Sequence, residues 1–318
     1  MSPRGWAAFA AMSAVWGVPY LFIKVAVDAG VSPSFVSFGR VTIAAAVLLA
    51  LAARAGVLAQ VRGRWRWLAL YAVAEIALPF PLIAAGEQRV SSSLAAILIA
   101  CVPLMVALLA LRVDPDERPS ATRLTGLLIG LAGVVALVGI DVAGDGRELV
   151  GVGLIVLAAA GYAVGPMVLK QHLGGMDPRT AMGVSLALAA GMLAPAAVST
   201  APSGMPSADA VLAIAVLGLV CTALAFVVFS VLIREVGPGR ALVITYINPV
   251  VAVALGVTIL GERPGAGAVA GLLLILAGSW LSTDGRLPPG LAERLRRRSR
   301  AREPEPSAPP IEPAVGLP

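Results

Sequence analysis

Five long uncharged apolar runs limit what this chain of 318 residues can fold into. They cover residues 90–111, 180–208, 210–233, 241–261 and 264–283. Each run is at least as long as the roughly 20 residues that a helix needs to cross a bilayer. Hydrophobic residues make up 58% of the chain and charged residues 13%, which lies outside the range of soluble proteins. The sequence therefore predicts an all-α polytopic membrane protein with the lipid bilayer as its main partner.

Ten transmembrane helices follow when apolar segments bounded by charges, Gly or Pro are counted along the chain. Their predicted ranges are 6–27, 34–53, 66–86, 90–111, 122–140, 150–171, 179–200, 210–233, 239–260 and 265–283. Lys and Arg collect in alternate loops and in the tail, whereas the loops on the other side carry only Arg89, Arg147 and Arg263. Because basic loops stay cytoplasmic, this imbalance places both termini in the cytoplasm. The excess of Arg, Ala and Gly is typical of a GC-rich bacterium, so the plasma (inner) membrane is expected. Basic residues placed in this way do not indicate nucleic-acid binding.

The chain also repeats itself at an offset of 145 to 146 residues. The Glu-Arg-Pro triplet at 117–119 recurs at 262–264, and the Leu-Ala-Gly at 131–133 recurs at 276–278. This repeat predicts two five-helix units, 5–140 and 150–283, followed by a disordered, basic and Pro-rich cytoplasmic tail at 284–318. Because five is odd, the second unit must enter the bilayer inverted, which is an architecture of secondary transporters. The basic cluster of the tail is either a topology anchor or a contact with anionic lipid.

Glu75 is the acidic residue expected deepest in the bilayer, within the predicted third helix. A charge at this depth is costly, so it indicates a functional group or a paired one. Pro79 and Pro81 follow it, and they predict an irregular backbone facing protein or a wet cavity. Glu75 is therefore a candidate that lines a central cavity and either carries a proton or meets a cationic group of the substrate. The alternative is a structural partnership with Arg40 or Lys24.

The other candidate substrate-binding residues are polar or aromatic side chains expected at mid-span depth, which suit a mostly apolar pocket. They are Tyr71, Arg40, Trp16, Tyr162, Tyr246 and Asn248. Arg40 could bind a substrate carboxylate or pair with Glu75, and packing is the alternative role for the others. Three glycine pairs spaced four residues apart predict close helix packing. They are Gly126/Gly130, Gly161/Gly165 and Gly267/Gly271.

These residues carry a resemblance to a known family. Trp16, Gly17 and Lys24 in the first helix, Arg40 in the second, the prolines at 103 and 249, and the glutamates at 117 and 262 occur in this order and spacing. The pattern resembles the EamA-type members of the drug/metabolite transporter superfamily over about residues 5 to 283. Ser185 stands in the second unit where Arg40 stands in the first. The resemblance implies ten helices and the export of amino acids, metabolites or drugs.

The sequence thus favours a secondary transporter that exports a small organic solute by alternating access, with Glu75 as the candidate residue for proton coupling if the coupling ion is a proton. No Walker-type motif is present, and Cys101, Cys221 and His172 lack the spacing of a zinc site, so neither a cofactor nor a metal is expected. No catalytic residues are expected. The alternatives are a membrane enzyme acting on lipid or isoprenoid substrates and a non-transporting scaffold or sensor. Substrate, coupling ion and oligomeric state stay open.

Overall fold

In the computed structural model, residues 3–113, 121–142, 144–236, 244–245 and 247–282 are described. The regular secondary structure of these residues is helical, and its ten apolar segments are named α1 to α10 in chain order; a short 3-10 helix, Leu58–Val61, lies between α2 and α3. Within the described part of the chain, seven of them are long and apolar enough to cross a membrane. These are α1 (Gly5–Asp28), α2 (Pro33–Arg54), α3 (Trp65–Glu87), α5 (Leu124–Val142), α6 (Gly146–Leu173), α7 (Pro178–Ser199) and α8 (Ala208–Leu232). The shorter apolar helices are α4 (Ser92–Val106), α9 (Asn248–Ile259) and α10 (Ala266–Leu281).

Parts of the predicted architecture lie outside the described residues. The predicted ninth span at 239–260 is described only from 244 onward, with a gap at 246. Glu117 and the tail at 284–318 also lie outside. The predicted fourth span is interrupted: one helix ends at Ile99 and the next begins at Val102, just before Pro103. The all-helical membrane fold is therefore confirmed, whereas the ten-span inverted repeat stays a prediction.

Local sequence signals explain where five of the helices begin. In each, a Ser or Asp side chain accepts a hydrogen bond from a backbone N–H in the first turn, where helical partners are missing. These capping residues are Ser32 before α2, Ser91 before α4, Asp145 before α6, Asp177 before α7 and Ser207 before α8. A proline follows directly at the start of α2 and of α7. Polar capping chemistry between apolar runs thus fixes these boundaries.

Four of the long helices contain a wider π-helical turn. The turns cover Val73–Ala77 in α3, Val138–Val142 in α5, Leu169–Leu173 in α6 and Leu219–Leu224 in α8. Helix α1 is also interrupted, between Val15 and Pro19. Such bulges are frequent at functional sites, and inside a membrane they are tolerated where neighbouring protein satisfies the backbone.

Glycine allows α5 and α10 to pack backbone against backbone, as the glycine pairs predict. A Cβ atom placed on Gly133 would lie 2.8 Å from the Leu274 Cβ and 3.0 Å from the Gly271 carbonyl oxygen. A Cβ atom on Gly278 would collide with the backbone of Gly130. The opposite face of α5 exposes Leu128, Leu131 and Val135. This apolar face suits contact with lipid tails.

Long-range polar contacts identify two ends of the helix bundle. At one, Lys24 Nζ donates to the Glu87 carbonyl oxygen over 2.8 Å, and Arg147 donates to the Gln88 carbonyl oxygen over 3.2 Å. We call this the Glu87 end. At the other, the Asp177 N–H donates to Gln60 over 2.6 Å. This is the Asp177 end.

Candidate functional site

Glu75 lies on the π-helical turn of α3, at the place where the prolines predict an irregular backbone. The Leu78 N–H donates to the Val73 carbonyl oxygen over 3.1 Å, five residues back, and Pro79 begins the next α-helical stretch. A π-helical turn shifts the register of the following side chains, so it changes which face Glu75 presents. The local sequence thus accounts for the backbone under the candidate carboxyl group.

Helix α6 packs directly against this turn because it carries glycine there. A Cβ atom on Gly161 would lie 2.6 Å from the Ala74 carbonyl oxygen, and one on Gly165 would collide with the Glu75 carboxyl group. The Glu75 Oε2 atom is buried and has no hydrogen-bond partner among the described residues. One oxygen of this half-buried residue therefore lies between α3 and α6 with unused hydrogen-bonding capacity.

Two of the predicted tyrosines join Glu75. Tyr71 is 3% exposed and lies one turn before Glu75 on α3. Tyr162 on α6 packs against the apolar cluster that contains Tyr71 and Phe80, and the Phe80 ring contacts Arg40. The structure thus brings four of the seven sequence-predicted residues into one group, which we call the Glu75 cluster: Tyr71, Glu75, Tyr162 and Arg40.

Arg40 is buried and connects three helices. Its Nε atom donates to Thr222 Oγ1 on α8 over 2.8 Å, and Thr222 Oγ1 donates to the Leu217 carbonyl oxygen over 2.8 Å. The Arg40 Cζ atom lies 4.0 Å from the centre of the Phe80 ring on α3, which is a cation–π contact. Neither Arg40 nor Lys24 forms an ion pair with Glu75 in the described part of the chain. Glu75 is therefore not their structural partner in this conformation.

Trp16 and Asn248 lie elsewhere, in contacts that hold α1 against α8 and α9. The Trp16 ring lies 4.7 Å from the Phe229 ring and 6.0 Å from the Phe226 ring, measured between centroids. In the amide orientation that suits its neighbours, the Asn248 side-chain nitrogen donates to the Ser13 carbonyl oxygen over 3.1 Å. Packing explains these two residues. Tyr246 lies outside the described residues.

Glu87 was missed by the sequence reasoning because it falls just beyond the predicted end of the third helix, where a charge is usually hydrated. In the structure it is 0% exposed, and neither carboxyl oxygen has a hydrogen-bond partner among the described residues. Lys24 contacts its main chain, and the ammonium group pairs with Asp28 over 3.2 Å. No sequence signal separates such a buried terminal carboxyl from an interfacial one.

Glu262 of the second sequence repeat contacts the start of α4 in the first repeat, at the Glu87 end. Its carboxylate accepts hydrogen bonds from the Ser92 N–H over 2.7 Å, from the Ser93 N–H over 3.0 Å and from Ser93 Oγ over 2.5 Å. It thereby caps the N-terminus of α4, where a negative charge is favourable. Partial burial by itself raises the pKa of Glu262, but the hydrogen bonds from Ser93 and Ser92 outweigh it and hold the pKa below its usual value. The residue therefore stays charged at neutral pH.

A cavity of about 160 Å³ opens near the Asp177 end, between α2, α7 and α8. Its lining residues include Leu48, Arg179, Phe226 and Ser230. Arg179 pairs with Asp177 at its edge, with an N–O distance of 2.7 Å. None of the sequence-predicted site residues lines this cavity. The carboxyl group of the Glu75 cluster is the stronger candidate site, because chemistry and close packing coincide there.

A metal centre is not indicated. In the described ranges, no three His, Cys, Asp or Glu side chains lie close enough together to hold an ion. Cys101 and Cys221 are buried free thiols on different helices. The polar groups described above can bind a proton, a cationic group or a hydroxyl.

Comparison with known proteins gives related membrane transporters. The uncharacterized inner membrane transporter YedA of Escherichia coli K12 is 29% identical over 262 residues, which cover 79% of this chain and 81% of YedA. A chloroplastic WAT1-related protein of Arabidopsis thaliana is 31% identical over 173 residues, which cover 53% of this chain and 41% of the plant protein. A protein known from a crystal structure shares the fold, with a TM-score of 0.63 at 22% identity, covering 88% of this chain and 96% of that one.

The family model matches the chain twice. The EamA-like transporter family model covers residues 4–139 and again residues 149–283, and this family is part of the drug/metabolite transporter superfamily. The names of the family and of YedA indicate a membrane transporter and not an enzyme. With its several apolar helices, the chain belongs to the EamA-like transporter family.

Proposed function

We propose that this transporter exports a small organic solute across the inner membrane by alternating access, with two inverted five-helix units that enclose a central site. The double family match, at 4–139 and 149–283, supports two units of similar sequence. Contacts at the Glu87 end support the inversion. Helix α3 ends there at Glu87, and α4 begins there at Ser92. Glu262, which lies between α9 and α10, the last two helices of the second unit, bonds Ser92 and Ser93 at this same end. In the first unit, the junction between the last two helices follows α4 and is therefore expected at the opposite end. Both termini are cytoplasmic in this proposal, as the Lys and Arg distribution predicts.

The Glu75 carboxyl, with one oxygen buried against α6, is the observation that carries the proposal. It combines a deep position, a π-helical turn and an oxygen without a hydrogen-bond partner in the described structure. A purely structural carboxyl would be hydrogen-bonded, because burial of an unsatisfied polar atom is costly. Glu75 therefore serves a transient partner, which is a proton or a cationic group of the solute. Tyr71 and Tyr162 supply hydroxyl groups and ring surface beside it.

The solute is the largest unknown, so the test begins with an unbiased search. Cells with and without the protein are compared for accumulated and released small solutes by untargeted mass spectrometry. Candidates are then measured by counterflow in proteoliposomes that contain the purified protein, with and without an imposed proton gradient. We expect at least one amino acid, metabolite or drug-like cation to exchange, and its uptake to respond to the gradient.

Two outcomes would contradict the proposal. One is the absence of counterflow for every candidate in proteoliposomes that hold folded protein. The other is loss of solute movement when the segment 286–318 is deleted, because a transporter does not need its tail for exchange whereas a tail-dependent sensor does.

A further inference from the structure

Glu87 is a buried acidic side chain that the transport proposal leaves unused. It ends α3, is 0% exposed, and neither of its carboxyl oxygens has a hydrogen-bond partner in the part of the chain that the structure describes. An ionised carboxylate in such surroundings loses its hydration without compensation. Buried carboxyl groups are therefore normally paired, hydrogen-bonded or neutral. Because Glu87 has neither an ion pair nor a hydrogen bond, the neutral acid is the form that suits this conformation.

Lys24 is a cation that contacts two acidic residues, Glu87 through its main chain and Asp28 through its carboxylate. Its ammonium group donates to the main-chain oxygen of Glu87 over 2.8 Å and pairs with Asp28 Oδ1 over 3.2 Å. It therefore lies within one side chain's reach of the Glu87 carboxyl group but is engaged with Asp28. Movement of the Lys24 ammonium group to the Glu87 carboxyl would exchange one carboxyl partner for the other.

The remaining groups around Glu87 are already engaged or uncharged. Those that act on it or face the end of α3 are Arg89, which follows α3, Tyr20 from α1, Arg40 from α2, Glu262 from the α9–α10 junction, and Ile155 and Arg147 from α6. Arg40 is engaged by Thr222 and Glu262 by Ser92 and Ser93. Arg89 and Arg147 are engaged by the carbonyl oxygens of Ala85 and Gln88. Lys24 is therefore the cation best placed to receive an ionised Glu87.

The surrounding contacts close the Glu87 end of the bundle. Lys24 ties α1 to the end of α3, and Glu262 ties the α9–α10 junction to the start of α4. Alternating access requires this end to open, and opening separates these helix ends. The Lys24 ammonium group can then change its partner from Asp28 to the Glu87 carboxylate.

We propose that Glu87 is a proton-binding site of the closed Glu87 end, and that it releases the proton when Lys24 turns from Asp28 to the Glu87 carboxylate on opening. This inference rests on the proposed transport function. In the step, the Glu87 carboxylic acid becomes a carboxylate, the proton passes to water that enters at this end, and Lys24 stays an ammonium ion. Protonation of Glu87 favours the closed form and Lys24 pairing favours the open form, so proton binding and helix movement are linked.

A cysteine reporter can measure the opening without knowledge of the solute. Ser92 is 1% exposed at the Glu87 end, and its hydroxyl has no hydrogen-bond partner in the described structure. Ser92→Cys is introduced with Cys101→Ala and Cys221→Ala, and purified protein in nanodiscs is labelled with a charged maleimide over a range of pH. Gln88→Cys, at an exposed position nearby, corrects for the pH dependence of thiol reactivity itself.

The measured quantity is the labelling rate at position 92 divided by that at position 88. We expect this ratio to rise with pH, by up to about tenfold per pH unit, the limit for an equilibrium linked to one proton. Glu87→Gln imitates the neutral acid and should keep the ratio low at every pH. Lys24→Gln removes the partner of the open form and should also flatten the response.

A flat labelling ratio in the reporter protein that retains Glu87 and Lys24 would overturn the inference. A full pH response in folded reporter protein with Glu87→Gln would do the same. Size-exclusion profiles in detergent establish that each variant is folded, and Lys24→Gln provides the second test if Glu87→Gln does not fold. Failure of the two proposals is distinguishable. Counterflow with a flat ratio removes the Glu87 proton site alone, whereas a Glu87-dependent ratio without counterflow for any solute removes the transport proposal.

Discussion

Helices α3 and α8 occupy corresponding places in the two sequence repeats, yet they differ in what they carry. Both contain a π-helical turn, at Val73–Ala77 in α3 and Leu219–Leu224 in α8, and the two starts are separated by the repeat offset. Helix α3 has prolines after its turn, whereas α8 continues with Ala225. The acidic Glu75 of α3 corresponds to Cys221 of α8.

The difference teaches that the backbone shape and the chemistry of this site have separate origins. A turn of the same kind forms with and without proline, so packing against neighbouring helices is sufficient to hold it. In α8, the Thr222 hydroxyl bonds the carbonyl oxygen of Leu217 and accepts from Arg40. In α3, the turn places the Glu75 carboxyl group against Gly165 of α6. One helix thus anchors a cation, and the other presents an acid.

The sharpest test of this contrast replaces the two corresponding residues. Glu75→Gln should abolish the proton-gradient dependence of solute uptake in proteoliposomes, because the amide cannot release a proton. Cys221→Ala, the matched change in α8, should retain gradient-driven uptake. Uptake by Glu75→Gln protein that still responds to the gradient would exclude Glu75 as the proton carrier.

Closing the space beside Glu75 should have the next largest effect. Gly165→Ala places a methyl group against the Glu75 carboxyl group, and overpacking of this kind costs about 1–3 kcal/mol. We expect a lower melting temperature in detergent and reduced counterflow. Gly153→Ala on the same helix is the control, since its Cβ would meet nothing within 4 Å. Equal melting temperatures for the two variants would show that α6 does not press on Glu75.

The anchoring role of α8 is tested at Thr222. Thr222→Val keeps the shape but removes the acceptor of the buried Arg40 Nε, which should cost at least the roughly 1–3 kcal/mol of an unsatisfied buried donor, since the cost is larger for a charged group. Thr222→Ser retains the hydroxyl and should restore most of the stability. Thermal unfolding of both variants in detergent measures the difference. A Val variant as stable as the Ser variant would contradict the anchor.

The smallest effect is expected for Pro79→Ala. Because α8 forms its π-helical turn without proline, the turn in α3 should persist, and stability should fall by about 1 kcal/mol, the typical effect of a single substitution. Gly161→Ala is the contrasting change, since its Cβ would lie 2.6 Å from the Ala74 carbonyl oxygen. Hydrogen exchange of the 73–79 segment compares the variants. A large increase in exchange for Pro79→Ala alone would mean that proline, and not packing, holds the turn.

Particular residues mark how far sequence reasoning reached the site. Glu75 and its prolines were recognisable because an acid within an apolar run and a missing N–H donor are local properties. The glycines that admit α6 were recognisable by their spacing of four. The partner of Arg40 was not recognisable, because Thr222 lies 182 residues away and nothing in the sequence around it distinguishes its hydroxyl from other hydroxyls in membrane helices. Trp16 and Asn248 were expected near the solute and lie instead in contacts that pack α1.

The sequence by itself determined that this chain is a helical membrane protein, because the length of the apolar runs acts through solvent preference and not through contacts. The order and spacing of its motifs added the resemblance to EamA-type transporters. Tertiary structure alone decided which polar groups are enclosed. Glu87 and Glu262 are both acids near helix ends, yet one is buried without a hydrogen-bond partner in the described structure and the other caps α4. Their different surroundings come from helices distant in sequence, and no local pattern encodes those.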